Sequence, residues 1–299
     1  MRFSVVVPTH GRLEGLDSCL AALVRMDSPP GGFEIVVVDD ASPVDYLHVV
    51  DKYLGLAELR VIRLVRNSGP ATARTFGARE ARADILAFTD DDCLPDAGWL
   101  VALERSFPDD PGDLAVGGLT INAHPTNVFS TATQNLLDFL FSWYNSDAQS
   151  ARFFPTLNLA CGRAHFLRLG GFDPDFPLAA AEDRDFCDRW RESGGRLVFA
   201  PDAIVRHAHQ LSLRRFLLQH YTYGRGAVHL HAAREKRGVA PTRLEPLRFY
   251  WNLVAYPFRS QGGVRGLVLA ALAALSQAAY AFGYYSERAR RRSPRTLPG

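Results

Sequence analysis

Three consecutive carboxylates, Asp90-Asp91-Asp92, follow directly on the apolar run Ile85-Leu86-Ala87-Phe88. Like charges a few ångströms apart raise one another's pKa, so the triplet needs a neutralising partner. A divalent cation meets that need, and hard oxygen donors suit Mg2+ or Mn2+ with coordination positions left for phosphate oxygens. The competing reading is a solvated acidic turn, with Asp92 or Asp96 starting a helix. Asp39-Asp40 closes a second apolar run, Ile35-Val36-Val37-Val38. It could accept hydrogen bonds from a nucleobase or a ribose hydroxyl, or serve as a helix N-cap ahead of Ser42-Pro43. Arg66 and Arg74 would neutralise phosphate, although Arg74 with Arg79 and Arg82 would also make a solvated basic helix face. Together these groups describe a site for a nucleotide diphosphate.

Such groups must be carried by strands that end at one rim. Phe3-Ser4-Val5-Val6-Val7, Ile35 to Val38, Leu59 to Leu64 and Ile85 to Phe88 are short β-branched runs about twenty to thirty residues apart, which is βαβ spacing. Their near-continuous apolar character predicts a parallel sheet covered by helices on both faces, with ligands at the carboxyl ends of the strands. Further on, the pattern predicts a helix from Gly98 to Phe107, a short strand from Leu114 to Gly118, a long aromatic helix from Val128 to Tyr144, and a strand at Leu197-Val198-Phe199-Ala200 that leads to His207. Beyond about residue 211 the periodicity is helical. A chain of 299 residues with 47% hydrophobic and 22% charged composition is too apolar for disorder and long enough for one large α/β unit with an appendage. Four scattered cysteines without a CxxC pair argue against a disulfide framework or structural zinc and fit a reducing cytoplasm. The N-terminal apolar run is too short for a secretory segment and reads as a first strand.

The segments VVVPTHGR, VVVDDAS, RNSGPATARTFG, FTDDDCLP, GGFDP and AEDRDFCDRW, in this order, resemble the family 2 glycosyltransferases over about residues 1–210. The resemblance implies the GT-A fold, a Rossmann-like nucleotide-diphospho-sugar transferase architecture, here with a C-terminal helical extension. It divides the chain into a nucleotide-sugar half (1–115), an acceptor half (116–210) and a basic helical region (211–299). It implies that Pro8, Thr9, Arg12 and Asp40 hold the nucleoside, with His10 standing where the family usually has tyrosine and offering its imidazole for stacking. It assigns Asp90 and Asp92 to the cation, with Asp91 between them at the donor diphosphate, and Asp183 of a Glu182-Asp183 pair as the base. His207 is a further candidate ligand for the cation, or a structural histidine. Asn158, Gly171-Phe172-Asp173 and Trp190 are assigned to the acceptor side, where the alternative for the loops is ordinary turn chemistry.

The chemistry follows from the groups. Displacing a nucleotide diphosphate from a sugar carbon needs charge absorbed on the leaving group and a carboxylate to take the acceptor's proton on the opposite face, which inverts that carbon. Asp183 would sit at the start of a helix anchored by Phe186, Cys187 and Trp190; alternatively Glu182 and Asp183 merely complement a helix dipole. The nearest match to the QxxRW motif of processive synthases, Phe186 to Trp190, lacks the glutamine, so one sugar per encounter is expected. The donor would be UDP-, GDP- or dTDP-linked, and the acceptor a hydroxyl of a glycan, glycolipid or small aglycone, lipid-linked in a cell-envelope setting. A sugar nucleotidyltransferase is a weaker fit, because no lysine precedes Lys52; a non-catalytic membrane scaffold would not need both the aspartate cluster and Asp183.

Net charge is divided along the chain: residues 206–299 carry +13 and the remainder −11. Gly266 to Tyr285 contains no charged residue and meets the roughly 20-residue length of a membrane span. Its alanine content, with Ser276 and Gln277, favours instead peripheral attachment of 243–299 to an anionic cytoplasmic membrane face, among alternatives that include a spanning helix and a soluble helical pair in a homo-oligomer. A single lysine in this region, Lys236, and the lack of a nucleic-acid module argue against nucleic-acid binding.

Overall fold

Strands with apolar side chains on both faces are stable only between two layers of helix, and the first four runs fold that way. In the computed structural model, which describes residues 1–145, 147, 149, 151–176, 178–239 and 245–292, they form β1 (Phe3–Thr9), β2 (Phe33–Asp39), β3 (Leu59–Arg63) and β4 (Ile85–Phe88). These four are mutually parallel, in the order β3-β2-β1-β4. Crossovers between them contain α1 (Leu13–Leu23), the single-turn α2 (Leu47–Val50) and α3 (Pro70–Glu80). Alternation along the strands divides the core. Val5, Val7, Ile35 and Val37 pack with Leu16 and Leu20 on one face. Val6, Val36, Val38 and Phe88 pack with Ala71, Ala73 and Ala78 on the other.

The sheet is not wholly parallel. After β5 (Cys93–Pro95) and α4 (Trp99–Glu104) come β6 (Leu114–Asn122), α5 (Val128–Tyr144), β7 (Leu159–Gly162), α6 (Arg163–Arg168), α7 (Glu182–Glu192) and β8 (Arg196–His207). The full order is β3-β2-β1-β4-β7-β6-β8-β5, with β7 antiparallel to both neighbours and β5 antiparallel to β8. The strand expected at Leu197 to Ala200 runs on to His207, because its second half is paired on both sides, with β6 and β5. That extension sets His207 directly opposite Cys93.

The chain divides into two compact units. The first comprises Met1–Ala123, Phe141–Pro177 and Asp183–His209 and contains the sheet; the second comprises His124–Leu140, Leu178–Glu182 and Gln210–Gly299. The second unit is built from α8 (Leu213–Lys236), α9 (Leu247–Gln261) and α10 (Gly263–Arg292) with the first turns of α5. Within it Phe139 packs edge-on against Phe249 and Tyr256, and Phe216 packs with Leu269 and Ala132. A methyl group on Gly224 or Gly283 would overlap backbone of the facing helix, so these two glycines allow α8 and α10 to touch closely. Of the tail, residues 243–244 and 293–299 lie outside the described residues.

Candidate functional site

Between the end of β4 and the start of β5 the chain turns through Thr89 and the three aspartates. Turning directs the middle carboxylate inward and its neighbours outward. Asp91 is fully buried: Thr9 Oγ1 donates to its Oδ2 at 2.7 Å, and Arg12 pairs with its Oδ1 at 2.7 Å. Asp90 and Asp92 keep 20% and 19% of their side chains exposed. Each outer carboxylate meets an arginine at 2.5 Å, Arg74 of α3 for Asp90 and Arg12 for Asp92. Arg74 is itself buried, with its guanidinium over the Phe172 ring, so it is not part of a solvated basic face.

Burial pushes the Asp91 carboxyl up to about 6, with Asp92 and Asp90 adding to the rise and Arg12 and Thr9 opposing it. Burial would raise Asp92 too, but a hydrogen bond and charge from His207, together with Arg12, hold it well below the usual carboxylate range. The three aspartates outweigh burial at Arg12 and raise its pKa. The folded chain therefore retains a proton on Asp91 that the unfolded chain, with an ordinary value of 3.8, has already released. Stability from this group is fully present below that ordinary value and is lost as pH rises through about 6. Asp91→Asn cannot lose a proton, so calorimetric Tm in divalent-free buffer should fall less steeply for the variant than for the unaltered chain between about pH 4 and pH 7. Parallel profiles would refute the assignment.

The donor atoms of Asp92, Cys93 and His207 lie within 4.8 Å of one another. Burial and the neighbouring aspartates raise the Cys93 thiol well above its ordinary value, so it stays protonated and is a poor ligand. His207 Nε2 lies 3.4 Å from Asp92 Oδ1, and its ring contacts that of His209 at 3.8 Å. A carboxylate and an imidazole, Asp92 and His207, fit a Mn2+ or Mg2+ ion that retains open positions, and the imidazole favours the transition metal; Asp90 lies outside this group of donor atoms.

The rim beside β1 and β2 has a different construction from the sequence-based expectation. Both oxygens of Asp40 accept backbone N–H groups, from Ser68 at 2.7 Å and Gly69 at 2.8 Å. With only 4% exposure, Asp40 therefore anchors the loop that starts α3, where Gly69 has a φ of 85°. Asp39 Oδ1 accepts from Ser42 N, and Ser42 Oγ accepts from Gly11 N. His10 is exposed; its Nδ1 lies 2.8 Å from the Asp40 carbonyl and its Nε2 3.1 Å from Asn67 Nδ2. A carbonyl only accepts and an amide nitrogen only donates, so these two contacts, through Nδ1 to the carbonyl and from the amide to Nε2, orient the ring. Arg66 is exposed at the same rim, while Pro8 and Thr9 are buried behind it.

Glu182 is buried and opens α7, and Asp183 Oδ1 accepts from Arg184 N at 2.8 Å. Burial raises the Asp183 pKa against the opposing charges of Arg184 and Arg74. Arg74 thus acts on Asp183 as well as pairing with Asp90. The residue before this pair, Ala181, has a φ of 72°, a strained conformation for a side-chain-bearing residue. Arg184, which the sequence-based reading passed over, has its guanidinium 4.8 Å from the Phe153 ring and 5.3 Å from that of Tyr144. Its position directly after Asp183 was the available signal.

Three residues assigned to the acceptor side lie in the core instead. Asn158 is fully buried, accepting from Trp99 Nε1 and donating to the carbonyls of Leu119 and Ala203. Phe172 packs among Phe88, Phe166 and Phe186, and Trp190 is buried with its Nε1 donating to Asp113 O. Gly171, with a φ of 77°, fits tightly against Thr75 of α3, whose hydroxyl accepts from Phe172 N at 3.0 Å. Asp173 Oδ1 closes a turn on Asp175 N. Elsewhere, an open pocket of about 560 Å³ is lined by His165, Arg168 and Ser193 among others. Its His165 Nε2 and Ser193 Oγ are 2.8 Å apart, but Arg168 donates to Nδ1, so Nε2 carries the proton and cannot act as a base toward the serine.

Residues 4–173 match the family described as "Glycosyl transferase family 2". The chain belongs to that family. Among curated relatives, this family 2 chain is 28% identical over 246 residues to a pre-mycofactocin glycosyltransferase of Mycobacterium tuberculosis, covering 80% of this chain and 49% of that protein. It therefore spans about half that relative's length. A glucosyl-dolichyl phosphate glucuronosyltransferase of Haloferax volcanii is 24% identical, with 69% of each chain covered. Among solved structures, the mannosyltransferase PcManGT from Pyrobaculum calidifontis, in complex with GDP-Man and Mn2+, superposes with a TM-score of 0.62 at 22% identity, covering 97% of this chain and 79% of that one. TarS from S. aureus, residues 1–349 with UDP-GlcNAc, superposes with a TM-score of 0.52 at 20% identity, covering 98% and 92%. The family 2 chain has the GT-A fold.

Proposed function

We propose that this chain transfers one sugar from a nucleotide diphosphate to an acceptor hydroxyl by a single displacement that inverts the sugar carbon. The observation that carries the reading is the pairing of two outward carboxylates, Asp90 and Asp92, with Arg74 and Arg12, beside His207. The chemistry that Mn2+ or Mg2+ supplies when bound is neutralisation of charge on the leaving diphosphate, and Asp92 and His207 are the groups that would hold it. Arg12 and Arg74 orient the diphosphate and stabilise the charge that develops as the bond to sugar breaks. His10, oriented by the Asp40 carbonyl and Asn67, offers its imidazole face to the base. Asp183 takes the acceptor's proton as its oxygen attacks; a carboxylate held above its ordinary pKa is a stronger base for that step. Solved structures of the same fold contain GDP-Man with Mn2+ or UDP with Mn2+, which supports a GDP- or UDP-linked sugar as donor here. The acceptor is a hydroxyl of a glycan, glycolipid or small aglycone.

Calorimetry with UDP, GDP and dTDP, each with and without Mn2+, tests this reading. One of the three is expected to bind with micromolar affinity in Mn2+ and at least about tenfold more weakly without it. Equal affinities with and without the ion for all three would remove the cation from the proposal.

A further inference from the structure

The second compact unit presents an exposed apolar surface outside the groups assigned to sugar transfer. Along α10, Val264, Leu267, Val268, Leu275, Phe282 and Tyr285 are between 40% and 79% exposed. At 100° per residue they fall within one arc of about 100°, and no charged residue interrupts them from 266 to 285. The opposite face of the same helix, Gly266, Leu269, Ala273, Ser276, Gly283 and Glu287, is buried. The helix is therefore apolar on two sides, with one side uncovered over about 32 Å at 1.5 Å per residue. On α9, Leu247, Trp251 and Phe258 lie within about 40° of one another on one face and are 87%, 73% and 46% exposed. Arg265 stands at one end of the α10 stripe, and Arg288, Arg290 and Arg291 at the other.

We infer that this stripe docks on the surface of an anionic lipid bilayer, with α10 lying in the membrane plane. Charge selects the partner. Residues 206–299 carry +13, so a second copy of the same face would be repelled, whereas anionic headgroups are complementary to the arginines at both ends. Exposed tryptophan, tyrosine and phenylalanine beside arginine are the side chains that sit at the boundary between headgroups and acyl chains. Packing selects the orientation. α10 lies against α8 from Leu269 beside Phe216 to Glu287, which accepts from Arg225 Nε at 2.8 Å, and on to Arg291, which donates to His229 Nδ1. Crossing the bilayer would carry this part of α8 into hydrocarbon with Arg225, Gln219 and His220, at several kcal/mol for the arginine alone. Lying in the plane leaves every one of these contacts intact. The inference rests on the second unit alone and stands apart from the proposed sugar transfer.

The test uses the full chain and sedimentation with vesicles of equal parts phosphatidylglycerol and phosphatidylcholine, or of phosphatidylcholine only. The unaltered chain should pellet with the anionic vesicles, bind the neutral ones more weakly, and be released by alkaline carbonate. The combined variant Leu267→Glu, Leu275→Glu and Phe282→Glu changes only exposed positions. It should bind anionic vesicles at least about tenfold more weakly while retaining a cooperative thermal transition and nucleotide diphosphate binding. Equal pelleting of this variant would overturn the docking surface. Retention of the unaltered chain after carbonate would overturn the in-plane orientation. A dimer in light scattering that the variant dissociates, without vesicle binding by the unaltered chain, would assign the stripe to a second copy and overturn the lipid partner.

Discussion

Asp183→Asn should bind a nucleotide diphosphate as the unaltered chain does and transfer sugar about a thousandfold more slowly. The side chains paired at the aspartate triplet, Arg12 and Arg74, are unaltered in this variant, so the donor affinity measured by calorimetry should not move. What is lost is a proton acceptor of the right basicity. Burial raises the Asp183 pKa, while Arg184 and Arg74 restrain the rise, so the carboxylate is more basic than an exposed aspartate. The same shift sets a pH dependence. As pH falls through the raised value the carboxylate is protonated and can no longer accept, so turnover of the unaltered chain should decline on the acid side earlier than an ordinary aspartate would require. An amide at this position has neither property. Full turnover by Asp183→Asn in a radiolabelled or coupled diphosphate-release assay would eliminate it as the base and move the role to another carboxylate.

Asp92→Asn should abolish the Mn2+-dependent part of nucleotide diphosphate binding, a loss of about a hundredfold in affinity when the ion is present and little change when it is absent. Four interactions converge on this carboxylate: Arg12 at 2.5 Å, His207 at 3.4 Å, the Cys93 thiol donating at 3.8 Å, and the charge of His209. The amide has no charge to offer a cation, and His207 loses the partner that holds its ring at the site. Cys93→Ser is the matched control. The neighbouring thiol lies in the same group of donor atoms but is kept protonated, so its replacement should leave the ion dependence unchanged. Identical calorimetric affinities for the Asp92 variant and the unaltered chain in Mn2+ would remove Asp92 from the cation site.

How much of this was legible in the sequence differs from residue to residue. The four parallel strands, the aspartate triplet after the fourth and the long uncharged segment near the C-terminus can be read locally, because periodicity and charge are properties of consecutive residues. The roles within the triplet could not be read. Asp91 turns inward because Thr9 and Arg12, some eighty residues away, supply its partners, and only then do Asp90 and Asp92 face outward. Asp40 looked like a nucleoside contact, but the loop entering α3 brings two backbone N–H groups onto it. Asn158 looked like a polar group in an acceptor loop, but β6, β8 and Trp99 enclose it.

Residue types and spacing alone fix which chemistry is available here: a row of strand-end carboxylates, arginines able to meet phosphate, an acidic pair opening a helix that carries one apolar face, and a basic tail. Tertiary structure alone decided which carboxylates face outward, that the antiparallel pairing of β8 with β5 brings His207 to Asp92, and that α10 covers one apolar face against α8 while leaving the other exposed. The reason is physical. Residue type and spacing fix what a group can do and which local element carries it. Whether a polar group is buried or presented depends on hydrogen-bond and packing partners that only long-range folding brings within reach.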